Sequence, residues 1–495
     1  MFQELTPFVI LSVIAIYFLL LVGISYFTGK NADNDSFFRG GRKSPWYLVA
    51  FGMIGASLSG VTFISIPGVV GGSGLNMAFS YMQVVLGYIV GYLVIAHVLM
   101  PIYYRMNLTS IYEFLEQRLG KEAYKTGAAY FLLSRTIGSA FRLYLVAIVL
   151  DSFVLGPMGV PFWGTVAGSI LLIWVYTFKG GIKTIVWTDS LQTIAMLTSV
   201  TLTIVAISRA MDTDISGMIS MVKESAYSQV FFFEGGWSDP NNFFKQFLSG
   251  ALITIVMTGL DQDMMQKNLS CRNIREAQKN MYSFTAILVL AKVMFLTLGA
   301  LLYLYSAHLG LDIPGQTDKL YPSIALNQLS PFIGIVFIIG LIAAAYSSAD
   351  SALTALTTSF CIDFLNFGKK EPSARMIQQR FWVHIAFSVL LFIIIVAFNS
   401  LNNDAVISQL FVAAGYTYGP LLGLFTFGIA TTREVKKQWV VLVCIASPVI
   451  SYLLNAYSDV LLAGFEFGFL IIALNGFLTF SGLWLISSRA EAKAI

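Results

Sequence analysis

Three serines and an aspartate lie close together in an otherwise apolar stretch of the sequence, residues 340–359. Ser351 follows Ser348 by three positions and Ser347 by four, so in a helix the three hydroxyls share one face. Asp350 lies next to that face. Neutral hydroxyl oxygens suit a monovalent cation such as Na⁺, whereas a divalent cation would require more carboxylates. The alternative is that the serines bond to carbonyls of the preceding turn, as they often do in apolar helices.

The composition is that of a polytopic membrane protein. Of the 495 residues, 57% are hydrophobic and only 11% are charged, whereas soluble domains are about one quarter charged. A bilayer core takes about 20 apolar residues per helix, and on this basis the sequence predicts thirteen spans. Their approximate bounds are 7–28, 47–72, 77–103, 124–156, 160–178, 185–208, 244–267, 278–306, 330–362, 378–400, 405–430, 437–457 and 461–487.

The lysines and arginines between the spans indicate the orientation of the chain. One set of alternate loops holds nearly all of them, with Lys267 counted in that set. The opposite loops hold only Arg209, Lys223 and Lys319. The positive-inside rule then places the N-terminus outside the cell and the C-terminus in the cytoplasm. We therefore expect an integral protein of the plasma membrane, which in a bacterium is the inner membrane.

Two of the predicted spans are interrupted by glycines and polar residues. The segment 52–68 carries several glycines among serines and a threonine, and the segment 249–266 carries Gly259 just before Asp-Gln-Asp. Unwound backbone frees carbonyl groups, which inside a bilayer need an ion, a substrate or another helix as partner. Interrupted helices in two corresponding halves are typical of the binding site of secondary transporters. The alternative is that the glycines allow close helix packing.

Several ionisable residues lie inside the predicted spans, where one charge costs at least about 2.5–3.5 kcal/mol. They are Arg135, Arg142, Asp189, Lys292 and Asp350, with Asp261 and Asp263 near the end of a span. At that cost, such residues should face one another or a polar cavity. The alternative to a functional role is a structural ion pair, for example Asp189 with Lys292 or with Arg135.

Five motifs carry a resemblance to a known family. They are SFFRGGRKSPW at 36–46, GASLSGVTFISIPG at 55–68, YTFKGGIKTIVWTDSLQ at 176–192, DQDMMQKNL at 261–269 and AAAYSSADSAL at 343–353. With them the sequence resembles the sodium:solute symporter family, which includes sodium/glucose, sodium/proline, sodium/monocarboxylate and bacterial sialic acid symporters. The resemblance implies an all-α, leucine-transporter-like fold, in which two inverted five-helix repeats follow an extra N-terminal helix.

On this resemblance the whole chain, residues 1–495, is a single transporter domain. Its parts are the extra N-terminal helix 7–28, the first repeat 47–208, the second repeat 244–430 and the two C-terminal helices 437–487. The sequence contains no glycine-rich phosphate loop and no recognisable nucleophile and base pair. We therefore expect neither an enzyme nor a nucleic-acid partner, and the oligomeric state is left open.

The resemblance also implies cation sites. The main sodium site would comprise three backbone carbonyls and two hydroxyls, those of Gly55, Leu58, Ala344, Ser347 and Ser348. Some members of the family bind a second sodium ion, which here would involve Asp189, Ser347, Asp350 and Ser351. Sialic acid symporters have a serine at the position of Asp350, so this carboxyl group has three alternative roles: a cation ligand, a salt-bridge partner or a proton site. We therefore expect one or two Na⁺ ions.

Substrate-binding residues can likewise be carried over from the family. They are Ser57, Ser59, Thr62, Gln83, Asp261, Gln262, Lys292, Tyr416 and Tyr418. Sugar transporters of the family usually have glutamine at the position of Thr62, so this segment resembles the carboxylate and sialic acid branch more closely. The arginine that holds the substrate carboxylate in that branch corresponds to Gly138 here. Arg135 and Arg142 lie one turn to either side, and a guanidinium fork suits a carboxylate.

The sequence therefore predicts sodium-coupled uptake of a small organic solute by alternating access. Sodium is expected to bind between the interrupted segment 52–68 and the span 330–362. A sugar or polyol, in place of a carboxylate or sialic-acid-like solute, is the alternative substrate. A membrane receptor that does not transport is the alternative class of protein.

Overall fold

The computed structural model describes residues 7–29, 37–38, 40–177, 181–367, 373–401, 406–462, 465 and 467–489. In chain order the helices are α1 (Pro7–Gly29), α2 (Trp46–Ser57), α3 (Gly60–Val69), α4 (Tyr81–Arg105), α5 (Glu113–Leu119), α6 (Lys121–Met158), α7 (Phe162–Thr177), α8 (Gly181–Ala210), α9 (Ile215–Glu224), α10 (Phe243–Thr254, continued by the π-helical turn Ile255–Gly259), α11 (Gln262–Leu269), α12 (Ile274–Leu309), α13 (Leu320–Asn327), α14 (Pro331–Phe364), α15 (Ala374–Leu401), α16 (Val406–Ala430), α17 (Lys437–Ala456) and α18 (Ile471–Leu485). Two short strands, Glu434–Val435 and Ser487–Ser488, form an antiparallel pair.

The helices follow the order of the predicted spans, but the number thirteen is not confirmed. Within the described ranges, ten helices are long and apolar enough to cross a membrane, and two bent pairs, α2–α3 and α10–α11, raise the number to twelve. The remaining predicted span, 160–178, corresponds to α7, which has 16 residues. At 1.5 Å per residue such a helix is about 24 Å long, shorter than a bilayer core of about 30 Å.

The two interrupted segments are broken helices, as the sequence predicts. The axes of α2 and α3 differ by 56°, because Leu58 and Ser59 leave the helical conformation between them. The axes of α10 and α11 differ by 64°. At that second break Asp261 is extended, and its carboxylate accepts hydrogen bonds from the amides of Asp263 (3.0 Å) and Met264 (3.4 Å). Asp261 is therefore the N-cap that begins a new helix.

Helix α14 lies at the centre of the bundle and carries the serines and the aspartate described above. Every residue from 340 to 359 on this helix is buried. It packs against α8 along much of its length and also contacts α2, α3 and α6. The polar groups of α14 therefore face other helices and not lipid, and the first broken helix lies beside them.

Some glycines of the sequence do serve close packing. A Cβ atom on Gly87 of α4 would lie 2.1 Å from the carbonyl oxygen of Phe247, and one on Gly250 of α10 would lie 2.1 Å from that of Val84. Only glycine allows two backbones to approach to this distance. This contact fixes α4 against α10, just before the second break.

Candidate functional site

The first break leaves backbone carbonyls without hydrogen-bond donors. Within the described part of the chain, no group donates to the carbonyl oxygens of Gly55 or Leu58, and both residues are buried. The amide of Leu58 is satisfied, since it donates to the carbonyl of Ile54 at 2.7 Å. A buried carbonyl without a donor costs free energy comparable to a lost hydrogen bond. The break at residues 58–59 is therefore chemically ready to accept a cation.

The second break differs, because tyrosine side chains satisfy its carbonyls. The hydroxyl of Tyr103 donates to the carbonyl of Gly259 at 2.8 Å, and that of Tyr112 donates to the carbonyl of Leu260 at 3.0 Å. Both tyrosines are completely buried. The carbonyls of Gly259 and Leu260 therefore do not need an ion, in contrast to those of Gly55 and Leu58 at the first break.

The two adjacent serines of α14 differ in their hydrogen bonding. Ser348 Oγ donates to the carbonyls of Ala344 (3.2 Å) and Ala345 (3.1 Å), which is the alternative considered for an apolar helix. Ser347 Oγ is buried and makes no hydrogen bond of normal geometry with a described group, although it lies near the Asp189 carboxylate. Ser347 is therefore the hydroxyl that is free to bind a cation, and Ser348 would have to exchange its helical bonds for one.

Gly55 brings the first break into direct contact with α8 and α14. A Cβ atom at this position would lie 2.7 Å from Thr193 Oγ1, 2.8 Å from Ser347 Oγ and 2.9 Å from the carbonyl oxygen of Asp189. The free hydroxyl of Ser347 and the open end of α2 are thus immediate neighbours. The predicted main sodium site therefore has its hydroxyl half and its carbonyl half at one junction.

Asp189 forms an ion pair that the sequence did not predict. Its Oδ2 lies 2.7 Å from Nζ of Lys267, and both side chains are completely buried. The assignment of Lys267 to an aqueous loop was wrong, because its side chain is completely buried. The pairing of Asp189 with Lys292 or Arg135 was also wrong, because Lys267 is its partner.

Asp350 lies near Asp189 but has its own hydrogen-bond donors. Tyr176 donates its hydroxyl proton to Oδ2 at 2.8 Å, and the backbone amide of Ser351 donates to Oδ1 at 2.5 Å. No lysine or arginine of the described chain lies within 4.0 Å of its carboxyl oxygens. Of the three roles considered for Asp350, a salt bridge therefore has no support in the structure.

A cavity between the first break and helices α4, α6, α10 and α12 holds most of the predicted substrate residues. Its volume is about 80 Å³. Six of the predicted residues line it, namely Ser57, Ser59, Thr62, Arg135, Arg142 and Lys292. This combination of apolar walls with a few convergent polar groups is typical of a small-molecule site.

The walls of the cavity carry more positive than negative charge. Lys292 is 3% exposed and donates to Thr62 Oγ1 at 3.0 Å, with the ring of Tyr81 5.5 Å from its Nζ. Arg142 is buried, and its Nε has no hydrogen-bond partner among the described groups. Neither residue has a carboxylate within 4.0 Å in the described structure. Lys292 and Arg142 are also near enough to repel one another.

Arg135 differs from Arg142 because it is neutralised within the protein. Its guanidinium forms an ion pair with Asp263 and lies 3.9 Å from Asp261 Oδ2. Asp261 accepts a further hydrogen bond from the Tyr418 hydroxyl at 2.6 Å. Arg135 therefore fixes α6 against the second break, and of the two candidate arginines Arg142 is the one available to a ligand.

A smaller pocket adjoins the cavity at the position of Gly138. Its volume is about 10 Å³, and Arg135, Arg142 and Tyr418 lie in its wall together with Gly138. A space of this size holds about one water molecule.

Four predicted substrate residues lie outside the lining of both pockets: Asp261, whose contacts are described above, and three others. Gln83 donates to the Asn241 carbonyl at 2.8 Å and accepts from the Phe232 amide at 3.1 Å, which ties α4 to the loop before α10. Gln262 exchanges hydrogen bonds with the backbone of Thr109 and Ile111. Tyr416 packs against α17. In this conformation all three hold protein segments together, and their contact with substrate stays a prediction.

The cavity also contains residues that sequence reasoning missed. Tyr81, Tyr88 and Tyr92 form one wall, and Met257 and Thr258 of the π-helical turn form another. The three tyrosines are spaced by seven and four positions on α4, so they share a face of that helix. That spacing is the sequence pattern from which this wall of the cavity could have been predicted. Their rings offer an apolar surface with hydroxyl groups at its edge.

Comparison with known proteins gives three consistent matches. The profile of the sodium:solute symporter family matches residues 37–437. The sodium/sialic acid symporter NanT of Aliivibrio fischeri is 25% identical over 439 residues, which cover 84% of this chain and 81% of that protein. The human sodium-coupled monocarboxylate transporter 1 is 25% identical over 448 residues, covering 85% of this chain and 67% of that protein.

A solved structure also matches. A Na⁺-coupled sialic acid symporter in a substrate-bound, outward-open state aligns with a TM-score of 0.81 and 20% sequence identity. The alignment covers 97% of this chain and 99% of the other. At this level of identity the match shows that the two chains share a fold.

Proposed function

The chain belongs to the sodium:solute symporter family, and from that membership we propose that it imports a small organic anion together with Na⁺. The observation that carries the anion is the pair of buried cations, Arg142 and Lys292, in one cavity. Burying a charge without a partner is costly, and no carboxylate of the described residues lies within 4.0 Å of either group. A carboxylate substrate would supply it.

A neutral sugar or polyol is the weaker alternative. It would leave both cations of the cavity without counter-charge, and hydroxyl groups compensate a buried charge less well than a carboxylate does. Two relatives that match this chain are named as carriers of carboxylic acids, sialic acid in one and monocarboxylates in the other. Neither observation identifies one compound, so the proposal is a class of substrate.

We place the main Na⁺ at the junction of the first break with α14. Its ligands would be the carbonyls of Gly55, Leu58 and Ala344 and the hydroxyls of Ser347 and Ser348. The two carbonyls without donors at the break and the free hydroxyl of Ser347 support this assignment. An ion bound there would join the broken helix to α14 and so favour one arrangement of the two, which is a population shift driven by differential affinity.

The proposed architecture has thirteen membrane helices, with α7 crossing as a short one. Residues 47–208 and 244–430 would form two inverted five-helix repeats, each opening on one of the broken helices, after the extra helix 7–28. Two further helices, within 437–487, would follow. The charge pattern supports a plasma-membrane protein with its N-terminus outside. The membrane potential then adds about 2.3 kcal/mol per 100 mV to the entry of each positive charge.

Uptake into proteoliposomes tests the proposed function. A thermal-shift screen of sialic acids, monocarboxylates, amino acids and sugars, with and without NaCl, first selects a ligand. We expect the labelled ligand to accumulate only under an inward Na⁺ gradient, and to leave again when the gradient is collapsed with a sodium ionophore. Accumulation that is equal in KCl would contradict sodium coupling, and selective stabilisation by neutral sugars would contradict the anion.

Ser347→Ala is expected to raise the Na⁺ concentration for half-maximal uptake about tenfold. Loss of one hydroxyl ligand is worth about 1–1.5 kcal/mol, and 1.4 kcal/mol corresponds to a factor of ten. Ser348→Ala should act in the same direction but less strongly, because that hydroxyl must first leave the carbonyls of Ala344 and Ala345. The measurement is initial uptake rate against external Na⁺ at constant ionic strength.

A matched control is available two turns further along α14. Thr354 is also buried, and its Oγ1 also has no partner among the described groups, but no role in ion binding is assigned to it. Thr354→Val should leave the half-maximal Na⁺ concentration unchanged. If Ser347→Ala behaved like Thr354→Val, Ser347 would not be a sodium ligand.

A further inference from the structure

The ion pair between Asp189 and Lys267 suggests how many ions the transporter binds. We propose that the ammonium group of Lys267 takes the place of a second cation beside Asp189, so that each cycle carries a single Na⁺. The inference rests on the proposed function, because it concerns the ion stoichiometry of the same transporter. It replaces the expectation of one or two ions with a definite number.

The carboxylate of Asp189 has little coordinating capacity left. Oδ2 is 2.7 Å from Lys267 Nζ and accepts a hydrogen bond from Ser351 Oγ at 3.2 Å. With the amide of Gln192 oriented so that its nitrogen faces the carboxylate, that nitrogen lies 3.0 Å from Oδ1. Both oxygens therefore have donors, and the negative charge already has a positive partner. A sodium ion at this carboxylate would have to displace the ammonium.

Displacement of the Lys267 ammonium is unfavourable because the ion pair is completely buried. Lys267 and Asp189 are both 0% exposed. A lysine that left the pair would remain in the protein interior as a charge without a partner, and removing one member of a buried ion pair is strongly destabilising. A mobile ion could leave to water, but the tethered ammonium cannot. The position beside Asp189 is thus occupied by a cation that belongs to the chain.

The other polar groups near this ion pair differ in whether their hydrogen bonds are satisfied within the protein. Ser351 completes the ion pair, and Asp350 is satisfied by Tyr176 and by the backbone amide of Ser351. Ser347 makes no hydrogen bond of normal geometry with a described group, and its hydroxyl lies near the Asp189 carboxylate and against Gly55 at the first break. One exchangeable cation site therefore remains among the described residues of this junction, and it is the main site.

Counting bound ions tests the proposal directly. The purified full-length protein in nanodiscs is titrated with ²²Na⁺ to saturation, and the number of ions per chain is measured without any substrate. We expect one for the wild type. Lys267→Met keeps a long side chain but removes the charge. This variant should bind two ions, because the carboxylate of Asp189 is then unpaired and accepts Na⁺.

Two control variants separate the charge from other effects of the substitution. Lys267→Arg keeps a cation at the position and should bind one ion, like the wild type. The double variant Asp189→Asn/Lys267→Met removes both charges and should also bind one. If Lys267→Met bound one ion while melting as a folded protein, the proposal would be overturned, and the same holds for a double variant that binds two.

The wild-type count also separates this inference from the proposed function. A count of two overturns the single-ion proposal and leaves sodium coupling intact. A count of zero overturns sodium coupling itself, and the inference with it. Should Lys267→Met not fold, the wild type still decides, since a count of one supports the proposal. The ratio of charge to solute moved in proteoliposomes under a set voltage should then fit one Na⁺ per solute.

Discussion

Gly55→Ala is expected to abolish sodium-dependent uptake at physiological Na⁺ while the protein still folds. The added Cβ would lie between 2.7 and 2.9 Å from Thr193 Oγ1, Ser347 Oγ and the carbonyl oxygen of Asp189. Two of these three atoms are close to fixed, because Thr193 Oγ1 bonds to the carbonyls of Phe51 and Asp189. The first break or α14 must therefore move, and the movement falls on the sodium site.

The expected size follows from the cost of overpacking. Inserting a methyl group into a close-packed interior costs about 1–3 kcal/mol. If most of that cost is relieved by separating α2 from α14, Na⁺ binding weakens by up to about 150-fold, since 1.4 kcal/mol corresponds to tenfold. The measurement is ²²Na⁺ binding to the purified protein, alongside uptake. Raised Na⁺ should restore part of the uptake, because the variant loses affinity and not the ligands themselves.

Gly52→Ala provides the matched comparison on the same helix. A Cβ there would lie 3.3 Å from its nearest neighbours on α8, Asp189 Cβ and the carbonyl oxygen of Val186, so a shift of a few tenths of an ångström is enough. We expect Gly52→Ala to keep Na⁺ affinity within about threefold of the wild type. Equal losses in the two variants would mean that α2 tolerates no side chain on that face, and would remove the argument for a site at Gly55.

The sequence located the polar elements because their signals are local. Helix α14 carries hydroxyls in an apolar stretch, and both interrupted segments are broken where the glycines and polar residues predict. The identity of the partners at each break is not local. Tyr103 of α4 and Tyr112 of the following loop donate hydrogen bonds to the carbonyls of Gly259 and Leu260 from about 150 positions away in the chain. The sequence contains no periodicity that would indicate these pairings.

Lys267 shows why a charge count can place a residue wrongly. A lysine near the end of an apolar span normally belongs to the aqueous side, and its spacing from other cations fitted a cytoplasmic loop. The break at Leu260 changes the direction of the chain, so α11 carries Lys267 back toward Asp189. The burial of a charge depends here on a partner from another helix, which hydropathy does not report.

The two readings of the serines turned out to apply to different residues. Ser348 bonds back to its own helix, as serine does in apolar surroundings, whereas Ser347, one position earlier, makes no hydrogen bond of normal geometry within the described structure. Helical spacing puts both hydroxyls near one face and cannot separate them. The backbone of Gly55, from another helix, lies directly against Ser347 Oγ.

The second large effect is expected from the cations of the cavity. Arg142→Gln and Lys292→Gln should each reduce the affinity for the anionic substrate by about 10–100-fold, and the double variant should show no uptake above background. A hydrogen bond to a charged group contributes about 1.5–3 kcal/mol, which corresponds to this range. Glutamine keeps a polar side chain in the cavity, so the loss would report the missing positive charge.

Thermal stability distinguishes this role from a structural one. A cation that holds the fold together loses a partner when it is replaced, and the protein melts earlier. Lys292 and Arg142 have no carboxylate partner in the described chain and repel one another, so replacing either should leave the melting temperature unchanged or raise it. Residues kept for function commonly carry such a stability cost.

The two measurements together decide the class of substrate. If the neutral variants melt at or above the wild-type temperature and lose uptake of the anion, the charges serve the ligand. If uptake of the anion persists in the double variant, the cavity does not hold a carboxylate, and a neutral solute becomes the better proposal. A gain of binding to neutral sugars in Lys292→Gln would also support the proposal that the positive charges select an anion. The same cavity would then accept a ligand that carries no counter-charge.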